Sequence, residues 1–171
     1  MLADINTIII DTCSLVNLMN GNHLVSALKL SKLKFVIGPA VYKEVSKVQD
    51  QKQIIDDLIA TKKLFLWSGK MDLTVLIGLY GKYMLGDGET ESIAICKLDN
   101  SLICCDDRKA RSAAELEILP ENCMGSLKIL KLAVIDNIIK CTDAETSYLT
   151  MKHKGGFLPK NIDNSYFCKA S

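Results

Sequence analysis

The chain has 171 residues, 49% of them hydrophobic and 24% charged, and its 21 basic and 20 acidic side chains leave a formal charge of +1. That length holds one full hydrophobic core but falls short of the roughly 250–300 residues at which cores split, and the composition excludes extended disorder. Apolar runs such as Ile8 to Ile10 and Leu102 to Cys105 are far below the ~20 residues of a membrane span.

A single domain over residues 1–171 is therefore expected, with no membrane partner. Asp4 and Asp11 flank the first apolar stretch, unlike the basic segment that opens a secretory signal. The 7 cysteines are odd in number and lack a C-x-x-C spacing, and neither His23 nor His153 stands close to one, so a structural zinc site is not expected. Cys96 and Cys104 fall on apolar faces, and a reducing cytoplasm fits best. All basic residues except Arg108 and Arg111 are lysines spread along the chain; Lys152, His153, Lys154 and Lys160 form the one local cluster.

In chain order, Thr7 to Ile10 reads as a buried strand ending at Asp11. Thr12 to Ser14 offer cap oxygens for a helix over LVNLM. LKFVIGP, 33–39, gives a second strand stopped by Gly38, and Pro39 opens the helix AVYKEVSKV, which carries Glu44. IIDDLIA is an amphipathic stretch, LFLW at 64–67 a short strand, and 72–83 a helical pattern. LGDGETESIAICKL combines a Gly-rich turn at 86–88 with a helix bearing Glu89 and Glu91. SLICC, 101–105, is a strand ending in Asp106 and Asp107, followed by the helix RKARSAAEL. After Gly125, SLKILKLAVIDNIIK has the spacing of a buried helical face; GGFLP breaks regularity in the 142–171 region, where helix, loop and a late-docking element all stay open.

Strands alternating with helices predict an α/β fold with a mainly parallel central sheet covered by helices on both faces. Ligands of such sheets bind beyond the carboxyl ends of the strands. Asp11 and the Asp106, Asp107 pair stand at such ends, with Glu44 and Glu89 in early helical turns nearby. Glu89 and Glu91, two apart on a helix, point in different directions, so one of them at most is a direct ligand. One of Asp106 and Asp107 is a candidate cap. Several carboxylates on one rim repel one another, and a divalent cation removes the conflict. An oxygen-rich set without histidine suits Mg2+ or Mn2+ better than Zn2+.

These segments together resemble a PIN domain. IIIDTCSLVNL is similar to the family's opening strand and Asp-Thr or Asp-Ser turn, AVYKEV to its helix glutamate, and LGDGETESIAIC with LICCDDRKAR to its later acids. The GE-x-E-x-IA and DDRKAR forms, with MGSLKIL and GGFLP, are closest to a VapC-like branch that has glutamate at the third acidic position. The resemblance runs from about residue 6 to 167. It implies a three-layer Rossmann-like fold, metal-dependent ribonuclease activity and dimerisation. Carried onto this chain, it implies Asp11, Glu44, Glu89 and Asp107 as catalytic acids, with Glu91 and Asp106 as neighbours that replace or support them at the metal. Thr12 and Ser14 assist. Cys13 departs from the family's usual Ser or Asn.

The expected function is a metal-dependent endoribonuclease using Mg2+ or Mn2+ on RNA, a candidate toxin with an antitoxin protein and a second copy of the chain as partners. Cys13 motivates the alternative, a PIN-like module that binds RNA or protein with weak or no catalysis. A dinucleotide enzyme ranks below both, because LGDGET lacks the G-x-G-x-x-G pattern.

Overall fold

Thr7 to Ile10 is followed by no polar alternation, and the reason is that the strand is covered on both sides. In the computed structural model, which describes residues 6–163 and 165–168, β1 (Asn6–Ile10) is the central strand of a five-stranded sheet. Its neighbours are β2 (Leu33–Ile37), β3 (Phe65–Leu66), β4 (Leu102–Cys104) and β5 (Cys123–Met124), in the order β3-β2-β1-β4-β5. Every pairing is parallel, with Ile8 opposite Phe35 on one side and Leu102 on the other. The ends of the expected domain, 1–5 with Asp4 and 169–171, lie outside the described residues.

Successive side chains enter opposite cores, as strand geometry requires. Ile8, Ile10, Phe35 and Ile37 face one core, which is closed by α1 (Thr12–Asn20), α2 (Leu24–Ala27), α3 (Pro39–Val45), α4 (Gln49–Ala60), α8 (Ser126–Ile135) and α9 (Cys141–His153). Ile9, Val36 and Ile103 face the other, closed by α5 (Leu73–Tyr83), α6 (Asp87–Asp99) and α7 (Arg108–Glu117). The result is the expected three-layer α/β arrangement. Each isoleucine of β1 is fully buried, worth roughly 1.5–3 kcal/mol apiece against an exposed side chain.

Several local expectations are corrected. Asp11, not Thr12 to Ser14, caps α1: its Oδ1 accepts from the Ser14 amide at 2.8 Å, the geometry a carboxylate at the cap position favours. Gly86 to Gly88 is not a free turn but the start of α6, with Gly86 as the cap. The helix after Gly125 ends at Ile135, since Asn137 adopts a left-handed φ of 56° that stops it. The short elements α2 and β5 carry no periodic signal.

The cysteines also depart from the reduced reading. Cys96 and Cys104 are buried as small hydrophobes, but Cys141 and Cys168 form a disulfide with Cα atoms 5.1 Å apart. This link fastens the segment after α9 to the first residue of that helix. Tyr148 assists by donating its hydroxyl to the Pro159 and Lys160 carbonyls at 2.7 and 3.0 Å. Among the described residues no helix is long and apolar enough to cross a membrane.

Candidate metal centre and its groove

The sheet order reverses at β1, because the chain runs outward through β2 and β3 on one side and through β4 and β5 on the other. A crevice opens beyond the carboxyl ends of adjacent strands at such a switch point. Asp11 leaves β1 there, its amide still donating to the Cys104 carbonyl at 3.0 Å, and Cys105 leaves β4 by donating to the Met124 carbonyl at 2.8 Å. Asp106 and Asp107 follow at once.

Each carboxylate on this rim is held by the amide end of a helix, where unpaired N–H groups and the helix dipole favour negative charge. Asp11 caps α1. Asp107 caps α7, accepting from the Ala110 amide at 2.8 Å. Asp106, 8% exposed, accepts from the Ser126 amide at the start of α8 at 2.9 Å and from Asn17 Nδ2 at 2.8 Å. Arg111 Nη2 stands 3.6 Å from the same Asp106 carboxylate. Glu44 reaches from α3 to α6, accepting from the Gly88 amide at 3.0 Å and from the Thr12 hydroxyl. Glu89 accepts from the Gly86 amide at 3.1 Å.

Glu91 turns the other way and accepts from the Ala40 amide at 2.7 Å. It braces α3 against α6, and the bare Cα of Gly38 leaves room for it, since a Cβ there would lie 2.1 Å from its Oε2. Gly88 has a similar part nearer the centre. A Cβ on Gly88 would stand 2.7 Å from Glu44 Oε2 and 2.9 Å from Thr12 Oγ1.

What remains unbalanced is Asp11. Its carboxyl is fully buried, and while Oδ1 is occupied by the Ser14 amide, Oδ2 has no hydrogen-bond partner. An orphaned buried carboxylate oxygen is costly unless another group meets it. Burial pushes the Asp11 pKa from 3.8 up to about 6; the nearby Cys105 thiol and the Ser14 amide pull it down only in part, and Asp106 adds to the rise. Glu89 is also raised, first by burial and then by Asp107 and Glu44.

One donor atom from each of Asp11, Cys13 and Glu89 lies within 4.8 Å of the other two. Such a set can hold a divalent cation, which would satisfy Asp11 Oδ2 and offset the mutual repulsion. Ser14 contributes its backbone amide; its hydroxyl is buried without a partner. Sequence reasoning passed over Asn17 and Arg111. Asn17 carried a signal, as the one polar residue inside the apolar run LVNLM on a helix face that is otherwise buried.

Beside the acids lies a groove of about 860 Å3. Asp106 and Asp107 form one end, Arg108 and Lys128 stand on its rim, and Phe157 and Tyr166 contribute aromatic walls. Phe157 is 70% exposed, so its ring face is open to solvent. The basic cluster Lys152, His153, Lys154 and Lys160 is exposed and does not line this groove.

No curated protein and no solved structure matches the chain. A family model, DUF3368, described as a PIN domain, matches residues 7–170, a span that includes every acid of the rim. A parallel sheet with a carboxylate-rich switch point, matched over nearly its whole length by that model, places the chain in the PIN-domain family, a nuclease superfamily.

Proposed function

We propose that this chain is a metal-dependent endoribonuclease whose centre is built on Asp11, Glu44, Glu89 and Asp107. The observation that carries the reading is fully buried Asp11, which has one carboxylate oxygen without a partner and brings an oxygen within 4.8 Å of donor atoms of Glu89 and Cys13. These residues fit a divalent cation, with Mg2+ or Mn2+ the expected kind for a carboxylate-rich set. When bound, such a cation supplies Lewis acidity and charge neutralisation for phosphodiester hydrolysis.

The chain's own residues supply position. Asp11 and Glu89 would hold the cation, with Asp107 and Glu44 close enough to raise the Glu89 pKa. Asp106 acts through others: fixed by Asn17 and Ser126, it anchors α8 to the end of β4. Glu91 fixes the start of α3, the helix whose last turn carries Glu44. Thr12 orients Glu44 by hydrogen bonding. Because donors and acceptors are held before substrate arrives, little reorganisation is needed in the reaction.

For substrate, the groove beside Asp106 and Asp107 suits single-stranded RNA. Its rim cations Arg108 and Lys128 match phosphates, and Phe157 offers a face on which a base can stack. A toxin role, an antitoxin partner and a homodimer extend the same reading and rest on the VapC-like resemblance; one domain over 1–171 rests on chain length, and cytoplasmic residence on the free thiols of Cys13, Cys96, Cys104, Cys105 and Cys123, with the Cys141–Cys168 disulfide standing against it.

The test is cleavage of labelled single-stranded RNA by chelator-stripped protein with Mg2+ or Mn2+ added back. Wild type should cut only with cation, and Asp11→Asn should not cut. Cutting in chelator, or equal cutting by the variant, would sink the proposal; metal-independent RNA binding without cleavage would instead support a binding module.

A further inference from the structure

Cys13 occupies the first turn of α1, where the opening strand has just delivered Asp11. Three thiols stand near that strand exit, and their surroundings differ. Cys104 is buried in the core on one face of the sheet. Cys105 is also buried, and its thiol points to the Asp107 carbonyl at 3.6 Å. Cys13 alone of the three is half-buried, and its sulfur is the one grouped with oxygens of Asp11 and Glu89 inside a 4.8 Å radius. The second, independent sign is that Asp11, a fully buried member of the same group, has a carboxylate oxygen, Oδ2, with no hydrogen-bond partner.

We propose that Cys13 is a thiolate ligand of the cation held by Asp11 and Glu89, so that the centre is a mixed oxygen and sulfur site that binds borderline transition-metal ions more tightly than the Mg2+ or Mn2+ that supports cleavage. The proposal rests on the reading of this rim as a divalent-cation site. Mg2+ demands oxygen ligands in near-octahedral array and keeps its waters, whereas Zn2+ and Co2+ accept thiolate readily. Two ligands of a tetrahedral Zn2+, at about 2.0–2.3 Å from the ion, lie roughly 3.5 Å apart. The three groups therefore need to close by little more than about 1 Å, within the reach of side-chain rotation at half-buried Cys13 and Glu89.

The chemistry is an exchange without oxidation. The Cys13 S–H bond breaks, its electron pair passes to the cation, and the proton leaves to solvent. Without cation the Cys13 sulfur stands beside the carboxylates of Asp11 and Glu89. These carboxylates include the same groups whose charge a cation offsets. The side chain that sets this chain apart from the family's usual Ser or Asn thus becomes part of the centre, and not a sign of its decay.

The test is titration of chelator-stripped protein with Co2+ alone, followed by near-ultraviolet absorption. Wild type should show a thiolate-to-cobalt charge-transfer band that saturates at one equivalent and is displaced by Zn2+ but not by excess Mg2+. Cys13→Ser should keep its circular dichroism spectrum, lose the band and bind Co2+ at least about tenfold more weakly. Cys123→Ser, which alters the other half-buried thiol, should keep the band. A band surviving in Cys13→Ser, or Co2+ bound by wild type without one, overturns the proposal. The band together with no RNA cleavage under any cation leaves the ligand assignment standing and removes the nuclease reading. Cleavage that Mg2+ supports equally in wild type and Cys13→Ser, with no band, removes the ligand assignment alone.

Discussion

Replacing Asp11 by asparagine separates the cost of the centre from its use. A rise in pKa from 3.8 to about 6 means that the cation-free fold is destabilised by roughly 3 kcal/mol once this buried group ionises, at about 1.36 kcal/mol per tenfold change in proton affinity. The sign follows from which state holds the proton more tightly. The folded state does, so the penalty is absent below about pH 4, grows as the unfolded chain ionises between about pH 4 and 6, and is complete above. In the Asp11→Asn variant the amide oxygen would keep the acceptor for the Ser14 N–H, but its NH2 group would place donors where Oδ2 has no partner, a loss of about 1–2 kcal/mol. In chelator near neutral pH, Asp11→Asn should therefore be more stable than wild type by about 1–2 kcal/mol in urea unfolding, and below about pH 4, where the penalty is gone, less stable by about 1–2 kcal/mol. Saturating cation should reverse the order, since binding at a hundredfold excess over Kd adds about 2.7 kcal/mol to wild type only. A variant that is less stable than wild type in chelator at neutral pH, by the same amount as near pH 4, would refute the reasoning.

Gly88→Ala should leave thermal stability nearly unchanged, because the gain in helix propensity of about 1 kcal/mol opposes the crowding, while the displaced Glu44 lowers kcat/KM for RNA at least about tenfold. Asn17→Ala should cost about 1–3 kcal/mol in urea unfolding by leaving Asp106 Oδ2 without its donor, with a smaller loss of cleavage than Asp11→Asn. Phe157→Ala should raise KM for single-stranded RNA, with a base-stacking contribution of about 1–3 kcal/mol, and leave the melting temperature in place because the ring is exposed. Cys168→Ser should lower stability by up to roughly 3.5 kcal/mol, the chain-entropy value for the loop closed by a sequence separation of 27; unchanged unfolding under reductant would contradict it.

The buried strands were legible because apolar runs covered on both faces leave an uninterrupted pattern, as in Thr7 to Ile10. Pro39 marked the start of α3 and Gly125 that of α8 through their backbone preferences. Two-residue β5 could not be read, since its pairing with β4 and not its own composition makes it a strand. At the centre, the acids were visible as residues at strand ends and helix starts, but their division of labour was not. That Glu89 joins Asp11 while Glu91 turns to Ala40 depends on how α6 lies against α3. Cys13 was read as a departure because its neighbourhood, a carboxylate from each of β1's exit and α6, is made only by the folded sheet. The Cys141–Cys168 link was hidden for a related reason: spacing alone does not choose a pair among seven cysteines.

Since the carboxylates of the rim double as helix caps, loss of function and loss of folding are inscribed in the same letters of the sequence. Truncating Asp107 to alanine would unfasten the start of α7, and truncating Asp106 would release α8 from β4. A disabled descendant of this chain can thus shed its chemistry cheaply only through amides of the same shape, or through Cys13, the one member of the cluster that caps nothing.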